Sequence, residues 1–305
     1  HEPSVSVIDG IVFVTVSIHG SGYFPDPHAK RDHTYSLIAR STDNGETFTT
    51  TIFDRDRCET ENHERIDHSR NIIKLTDRRL YFGLGLGARH RSVFSDDLGI
   101  TWYFRECAVP GAEYEEKERS FFTEAVFFYT NSRRLMMLSR VDFAYAGFGG
   151  ALPNSTNYIR ETGLDNFDGE VLFESADNGA SWTPLRAVGF PSLMYPSVVN
   201  LKDNKMLLTF TVREIPPEGT GCIYPKVGVQ AIIFQETPDG SMEFDFSRDV
   251  IVIDDSTPDS MRNAGCFGNT LELPDGSLVT PYSFPKIDHE ILEIANNKEY
   301  LKQEV

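Results

Sequence analysis

One eight-residue pattern occurs three times in this chain. It reads STDNGETF at 41–48, SDDLGITW at 95–102 and SADNGASW at 175–182. All three fit Ser-x-Asp-x-Gly-x-x-(Trp/Phe). An aspartate can accept hydrogen bonds from backbone N–H groups just downstream and so hold a tight turn. Glycine supplies a backbone conformation that other residues resist. The closing aromatic then folds back to pack between sheets. The pattern is read as structural, with no part in catalysis.

What precedes each copy is equally regular. Runs of β-branched and aromatic residues are broken by Asp/Asn/Gly turns at Asp9-Gly10, Asp77, Asn131-Ser132, Asp203-Asn204 and Asp275-Gly276. That is the signature of a hairpin. A further strand and the repeated turn follow each of the first three hairpins. The fourth is followed by VQAIIFQETPDGSMEF, which keeps Asp239-Gly240 and Phe244 at altered spacing. The last has only HEILEIANN. The unit is thus a four-stranded meander, a-b-c-d, with tight a–b and c–d turns.

Such units repeated around an axis make a β-propeller. The expected fold is all-β, with five blades visible in the sequence, or six if one has diverged beyond recognition. A length of 305 residues would otherwise suggest about two domains. A closed propeller takes up residues 1–305 as a single domain.

The formal net charge of -17 repels phosphate backbones, so nucleic acid is not an expected partner. It disfavours anionic membrane surfaces too, and no apolar run approaches the ~20 residues of a membrane span. An acidic substrate would need a local cluster of arginines. Cys58, Cys107, Cys222 and Cys266 form no C-x-x-C pair, and no histidine stands at zinc-finger spacing, so neither a metal nor a cofactor is expected. Two disulfides, as in a secreted or periplasmic protein, and four thiols both fit the cysteine count.

With its three copies of the turn, the chain resembles the Asp-box (bacterial neuraminidase repeat) proteins, whose best-known members are sialidases. The resemblance implies a propeller acting on a glycan. Sialidases hold the substrate carboxylate with three arginines and use a Tyr–Glu pair as nucleophile and activator, with an Asp as acid/base. The family's usual Arg-Ile-Pro start is here His1-Glu2-Pro3, so the first arginine of the triad has no counterpart. Met194-Tyr195-Pro196 is the other such start.

In a meander the a–b and c–d turns share one end, which the repeated turns occupy. Function is expected at the other end, near the axis. There the b–c segments lengthen, as in IHGSGYFPDPHAKRDH, DFAYAGFGGALPNSTNYIRETGLDNFDG and REIPPEGTGCIYPKVG. Long loops on one end of a rigid scaffold commonly carry binding residues. Their aromatics, Tyr23, Phe143, Tyr145, Phe148 and Tyr158, suit sugar faces.

Strand starts and ends at this end supply the candidate site. Tyr195, Glu124, Glu214, Asp142 and His68 are the candidate catalytic residues. Arg70, Arg140, Arg213, Arg262, Glu2 and His19 are the candidate binding residues. The planar fork of arginine suits a carboxylate, and histidine titrates near neutrality. Three functions fit: a sialidase-like hydrolase of an acidic or acetylated sugar, a polysaccharide lyase on uronate glycans using His68 or His19 with Tyr195, and a glycan-binding propeller without catalysis.

Overall fold

The computed structural model describes residues 3–18, 35–59, 66–86, 89–106, 123–141, 169–188, 194–212, 227–248, 250–254 and 269–281. Four antiparallel sheets follow one another as propeller blades. The first has strands β1 (Ser4–Ile8), β2 (Ile11–Ile18), β3 (Tyr35–Ser41) and β4 (Thr49–Phe53). The second has β5 (Ile66–His68), β6 (Ile73–Lys74), β7 (Leu80–Leu86), β8 (Arg89–Ser95) and β9 (Tyr103–Glu106). The third has β10 (Thr123–Tyr129), β11 (Leu135–Val141), β12 (Gly169–Ser175) and β13 (Thr183–Val188). The fourth has β14 (Met194–Asn200), β15 (Lys205–Val212), β16 (Gly228–Glu236), β17 (Met242–Phe244) and β18 (Val250–Asp254).

All five hairpin turns fall where the sequence places them. The fifth unit is represented by a two-stranded hairpin, β19 (Leu271–Glu272) and β20 (Leu278–Val279). Just before it, Thr270 N–H donates to Ser197 Oγ of blade 4 at 2.8 Å, and Asn269 Nδ2 donates to Ser4 Oγ of blade 1 at 3.1 Å. The hairpin therefore follows on from the point where blades 4 and 1 meet. Among the described residues there are four complete blades, one fewer than the five counted in the sequence. Two strands are also split. The inner strand of blade 2 breaks between β5 and β6, and the outer edge of blade 4 is shared by β17 and β18, joined through a 3-10 turn at Phe246–Arg248.

The three repeated turns are superposable in their bonding. The serine hydroxyl donates to the aspartate at 2.6, 2.8 and 2.9 Å and accepts the glycine N–H at 2.9, 2.7 and 2.8 Å. The aspartate also accepts both the N–H and the hydroxyl of the seventh residue, which is Thr47, Thr101 or Ser181. The motif thus has a hydroxyl position that the sequence pattern had left as x. In blade 4, Asp239 accepts instead from Ser241, two residues on, which shortens the turn and explains the altered spacing.

Two of the three turns rivet their blade to the one before. Trp102 of blade 2 packs edge-on against Phe13 of blade 1, with ring centroids 6.5 Å apart. Trp182 of blade 3 donates Nε1–H to Tyr81 Oη of blade 2 at 3.0 Å. The first copy departs from the expectation: Phe48 is 43% exposed, against 6% for Trp102 and 0% for Trp182. Two apolar clusters fill seams, one between blades 1 and 2, which includes Phe13 and Trp102, and one between blades 3 and 4.

Candidate functional site

The sheet register puts the predicted site at the end away from the repeated turns. On β11 and β12, Arg140 pairs with Glu170 at one end of the ladder, while Leu135 pairs with Ser175 of the turn at the other. Five of the candidate residues are described at this end: His68, Arg70, Glu124, Arg140 and Tyr195. Glu2, His19, Asp142, Arg213, Glu214 and Arg262 lie outside the described residues, as do the loop aromatics.

Two of the five stand on the same device in neighbouring blades. Between Thr123 and Val126 on β10, three residue steps oppose two on β11, from Arg140 to Leu138. Between Met194 and Ser197 on β14, three steps again oppose two on β15, from Thr211 to Thr209. Each is a β-bulge, with one extra residue in the inner strand. The extra residue takes up left-handed backbone, with φ +57° at Glu124 and φ +53° at Tyr195. These are the only non-glycine residues with positive φ inside described strands; the others lie in turns or at a helix end. Left-handed backbone costs an ordinary residue about 1–2 kcal/mol. Strain of this kind collects at functional sites.

The bulge explains the contact it makes. In a regular strand Thr123, opposite Arg140, would share its face and Glu124 would point away. The extra residue turns Glu124 back, and its Oε1 accepts from Arg140 Nη1 at 2.9 Å. Both side chains are nearly buried. Glu124 Oε2 is also buried, without a hydrogen-bond partner among the described residues.

Arg70 ties the inner strands together. Its N–H donates to Ala125 O, beside Glu124, at 2.6 Å. Its carbonyl accepts from Ser4 Oγ and, at 2.9 Å, from Asn269 Nδ2. Its guanidinium lies 5.4 Å from the centre of the Tyr195 ring, in cation–π contact. Groups from blades 1, 3 and 4 and from the segment leading into the hairpin thus converge on one buried arginine. This explains the break between β5 and β6, because the backbone at 69–72 turns aside to meet them. Asn71 continues the seam, its amide bonding both the N–H and the carbonyl of Phe127 at 2.9 and 2.8 Å.

His68 is buried and stacks on Phe82, with ring centroids 6.3 Å apart. Its Nδ1 lies 2.6 Å from Ser69 O, a contact only a protonated Nδ1 can make, so Nε2 is the basic nitrogen of the neutral ring. Glu170, fully buried on β12 directly across from Arg140, was not anticipated from the sequence. It sits two positions into GEVLFES and looks like any polar residue opening a strand. Only the cross-strand register brings it to the site.

The fold is found in solved structures at low sequence identity. A protein of unknown function from Dyadobacter fermentans is 16% identical with a TM-score of 0.56, over 92% of this chain and 75% of that one. A thermostable family-43 glycoside hydrolase is 10% identical with a TM-score of 0.53, over 93% and 83%. The NanB sialidase from Streptococcus pneumoniae is 15% identical with a TM-score of 0.51, over 84% of this chain but only 33% of that enzyme. No protein-family model matches the sequence, and no curated protein matches it.

Proposed function

We propose that this chain is a glycoside hydrolase whose active centre lies at the axis, where Arg70, Glu124, Arg140 and Tyr195 meet. The observation that carries the reading is the pair of matched bulges, which hold Glu124 and Tyr195 in left-handed backbone at equivalent points of adjacent inner strands. Fold neighbours that include a sialidase and a family-43 glycoside hydrolase support it, as does the resemblance of the repeated turn to the Asp box.

In its finer form the substrate is an acidic or acetylated sugar. A carboxylate nucleophile would be repelled by an anionic substrate, whereas a tyrosine would not. Tyr195 Oη attacks the anomeric carbon while Glu124, or Glu214, takes the phenolic proton. Asp142 protonates the departing oxygen, and water later releases the sugar. In this reading Arg70, Arg213 and Arg262 bind the substrate carboxylate, and Glu2 and His19 are further substrate-binding residues.

The test is a panel of fluorogenic glycosides, neutral and acidic, together with uronate polymers. Release of aglycone from an acidic glycoside is expected, and failure to release any aglycone refutes the hydrolase. One observation favours a lyase as the second reading. The bond from His68 Nδ1 to Ser69 O fixes the ring so that Nε2 would be the nitrogen taking the proton next to a uronate carboxylate. That reaction would appear as ultraviolet absorbance from a new double bond.

A further inference from the structure

We infer that Arg140 is a positioning residue that acts through Glu124, and not a receptor for the negative charge of a substrate. The inference rests on the hydrolase reading in which Glu124 is the base.

The charge count around Arg140 comes first. Its guanidinium bonds Glu124 Oε1 at 2.9 Å. Across the ladder it stands opposite Glu170, which has no exposed surface. Directly opposed residues carry their side chains on one face, with Cβ atoms about 5 Å apart. Arg140 thus bonds one carboxylate and shares a face of the sheet with a second acidic side chain. A substrate carboxylate brought against Arg140 would have to share its one positive charge with Glu124 and lie on the same face as Glu170. Like charges gathered under those conditions are costly. The positive charge of Arg140 is already committed inside the protein.

The two oxygens of Glu124 show what that commitment achieves. Oε1 is fixed by Arg140. Oε2 is buried with no donor among the described residues. Leaving such an atom unpaired is costly, and natural structures seldom keep one without a use. The bulge and the left-handed φ at Glu124 add to that cost and aim the carboxylate. Arg140 thus pins one oxygen, and the other is held ready for a proton that arrives with the nucleophile or the substrate. A guanidinium bonded to one oxygen stops the carboxylate rotating. Without it, Glu124 swings and the reactive oxygen loses its place.

The full chain is tested as Arg140→Met, Arg140→Lys, Glu124→Gln and the Arg140→Met/Glu124→Gln double variant. The probes are 4-methylumbelliferyl N-acetylneuraminide (acidic) and 4-methylumbelliferyl xyloside (neutral). Arg140→Met is expected to lower kcat about 100-fold on whichever probe is turned over, the scale of a misplaced acid–base group, with KM moving less than about threefold. Arg140→Lys should recover at least about tenfold, and the double variant should be no worse than Glu124→Gln alone, because the two act as a unit. A rise of tenfold or more in KM for the acidic probe alone would make Arg140 a substrate receptor and overturn the inference. Should Arg140→Met fail to fold, Arg140→Lys carries the same comparison, with kcat lowered several-fold and KM unmoved. If the wild type turns over neither these probes nor any other glycoside of the panel, the hydrolase reading fails by itself. Crystal structures of the wild type and Arg140→Lys then decide the positioning claim. A displaced Glu124 carboxylate supports it, and an unmoved one overturns it.

Discussion

Gly179→Ala should cost far more than the same change at Gly45, although both glycines hold the fifth position of the repeated turn. Their backbones are alike, with φ +82° at Gly179 and +91° at Gly45. An added Cβ therefore brings the same left-handed penalty to each, about 1–2 kcal/mol. The surroundings differ. At Gly45 the nearest atom to the new methyl is Phe48 Cζ at 3.7 Å, an ordinary contact on an exposed ring. At Gly179 the methyl falls 2.6 Å from Tyr81 Cε2 and 2.9 Å from Cδ2. Tyr81 cannot retreat. It is fully buried, its hydroxyl is bonded by Trp182 Nε1 and lies 3.1 Å from Ser92 Oγ, and its ring packs against Phe94 and Phe127. Overpacking of that kind adds about 1–3 kcal/mol. The expected losses are about 1.5 kcal/mol for Gly45→Ala and about 3.5 kcal/mol for Gly179→Ala. For a chain of this length each kcal/mol lowers Tm by roughly 1.5 °C, so calorimetry should show drops of about 2 °C and about 5 °C. Equal drops would refute the claim that the turn rivets blade 3 onto blade 2.

The turns also set an acid limit. Asp43 is held at about 2, chiefly by the Ser41 hydroxyl and then by Thr47. For Asp97 and Asp177, burial pushes upward, but bonds from Thr101 and Ser95, and from Ser181 and Ser175, win and hold them below the usual carboxylate range. Depressed folded values mean that this stability is fully present above the unfolded value of about 3.9 and is lost as pH falls towards 2. Thermal melts should decline over that window, and less steeply in Asp97→Asn/Asp177→Asn; an unchanged acid limb would contradict the assignment. Arg134 clamps blades 3 and 4, bonding Glu174 twice at 2.7 Å and Glu236 at 3.2 Å. Arg134→Met strands two partly buried carboxylates and should cost about 2–3 kcal/mol, less than the 3–5 of a fully buried pair, with partial recovery in Arg134→Met/Glu174→Gln by urea unfolding. Tyr195→Phe should lower turnover of the best panel glycoside by about a thousandfold or more at nearly unchanged Tm; retained turnover would remove Tyr195 as nucleophile.

The sequence by itself determined the blade. Alternating apolar runs, five Asp/Asn/Gly turns and three copies of one turn are local signals, each satisfied within a dozen residues, and every hairpin formed where they place it. They also fixed which end is closed by tight turns, because strand direction alternates and leaves no choice. Tertiary structure decided what those signals do not contain. Phe48 and Trp182 close the same motif, yet among the described residues Trp182 is fully buried and Phe48 is exposed. Glu124 and Tyr195 are candidate catalytic residues by position alone, and the bulge each stands on shows only when pairing with β11 and β15 exposes one extra step in each inner strand. Arg140 reads as a binding residue for a substrate carboxylate until that bulge turns Glu124 towards it and the register sets Glu170 across from it. A bulge is a mismatch between two strands, and an ion pair is a relation between two side chains. Neither is a property of one segment, so each appeared only when the strands were laid side by side.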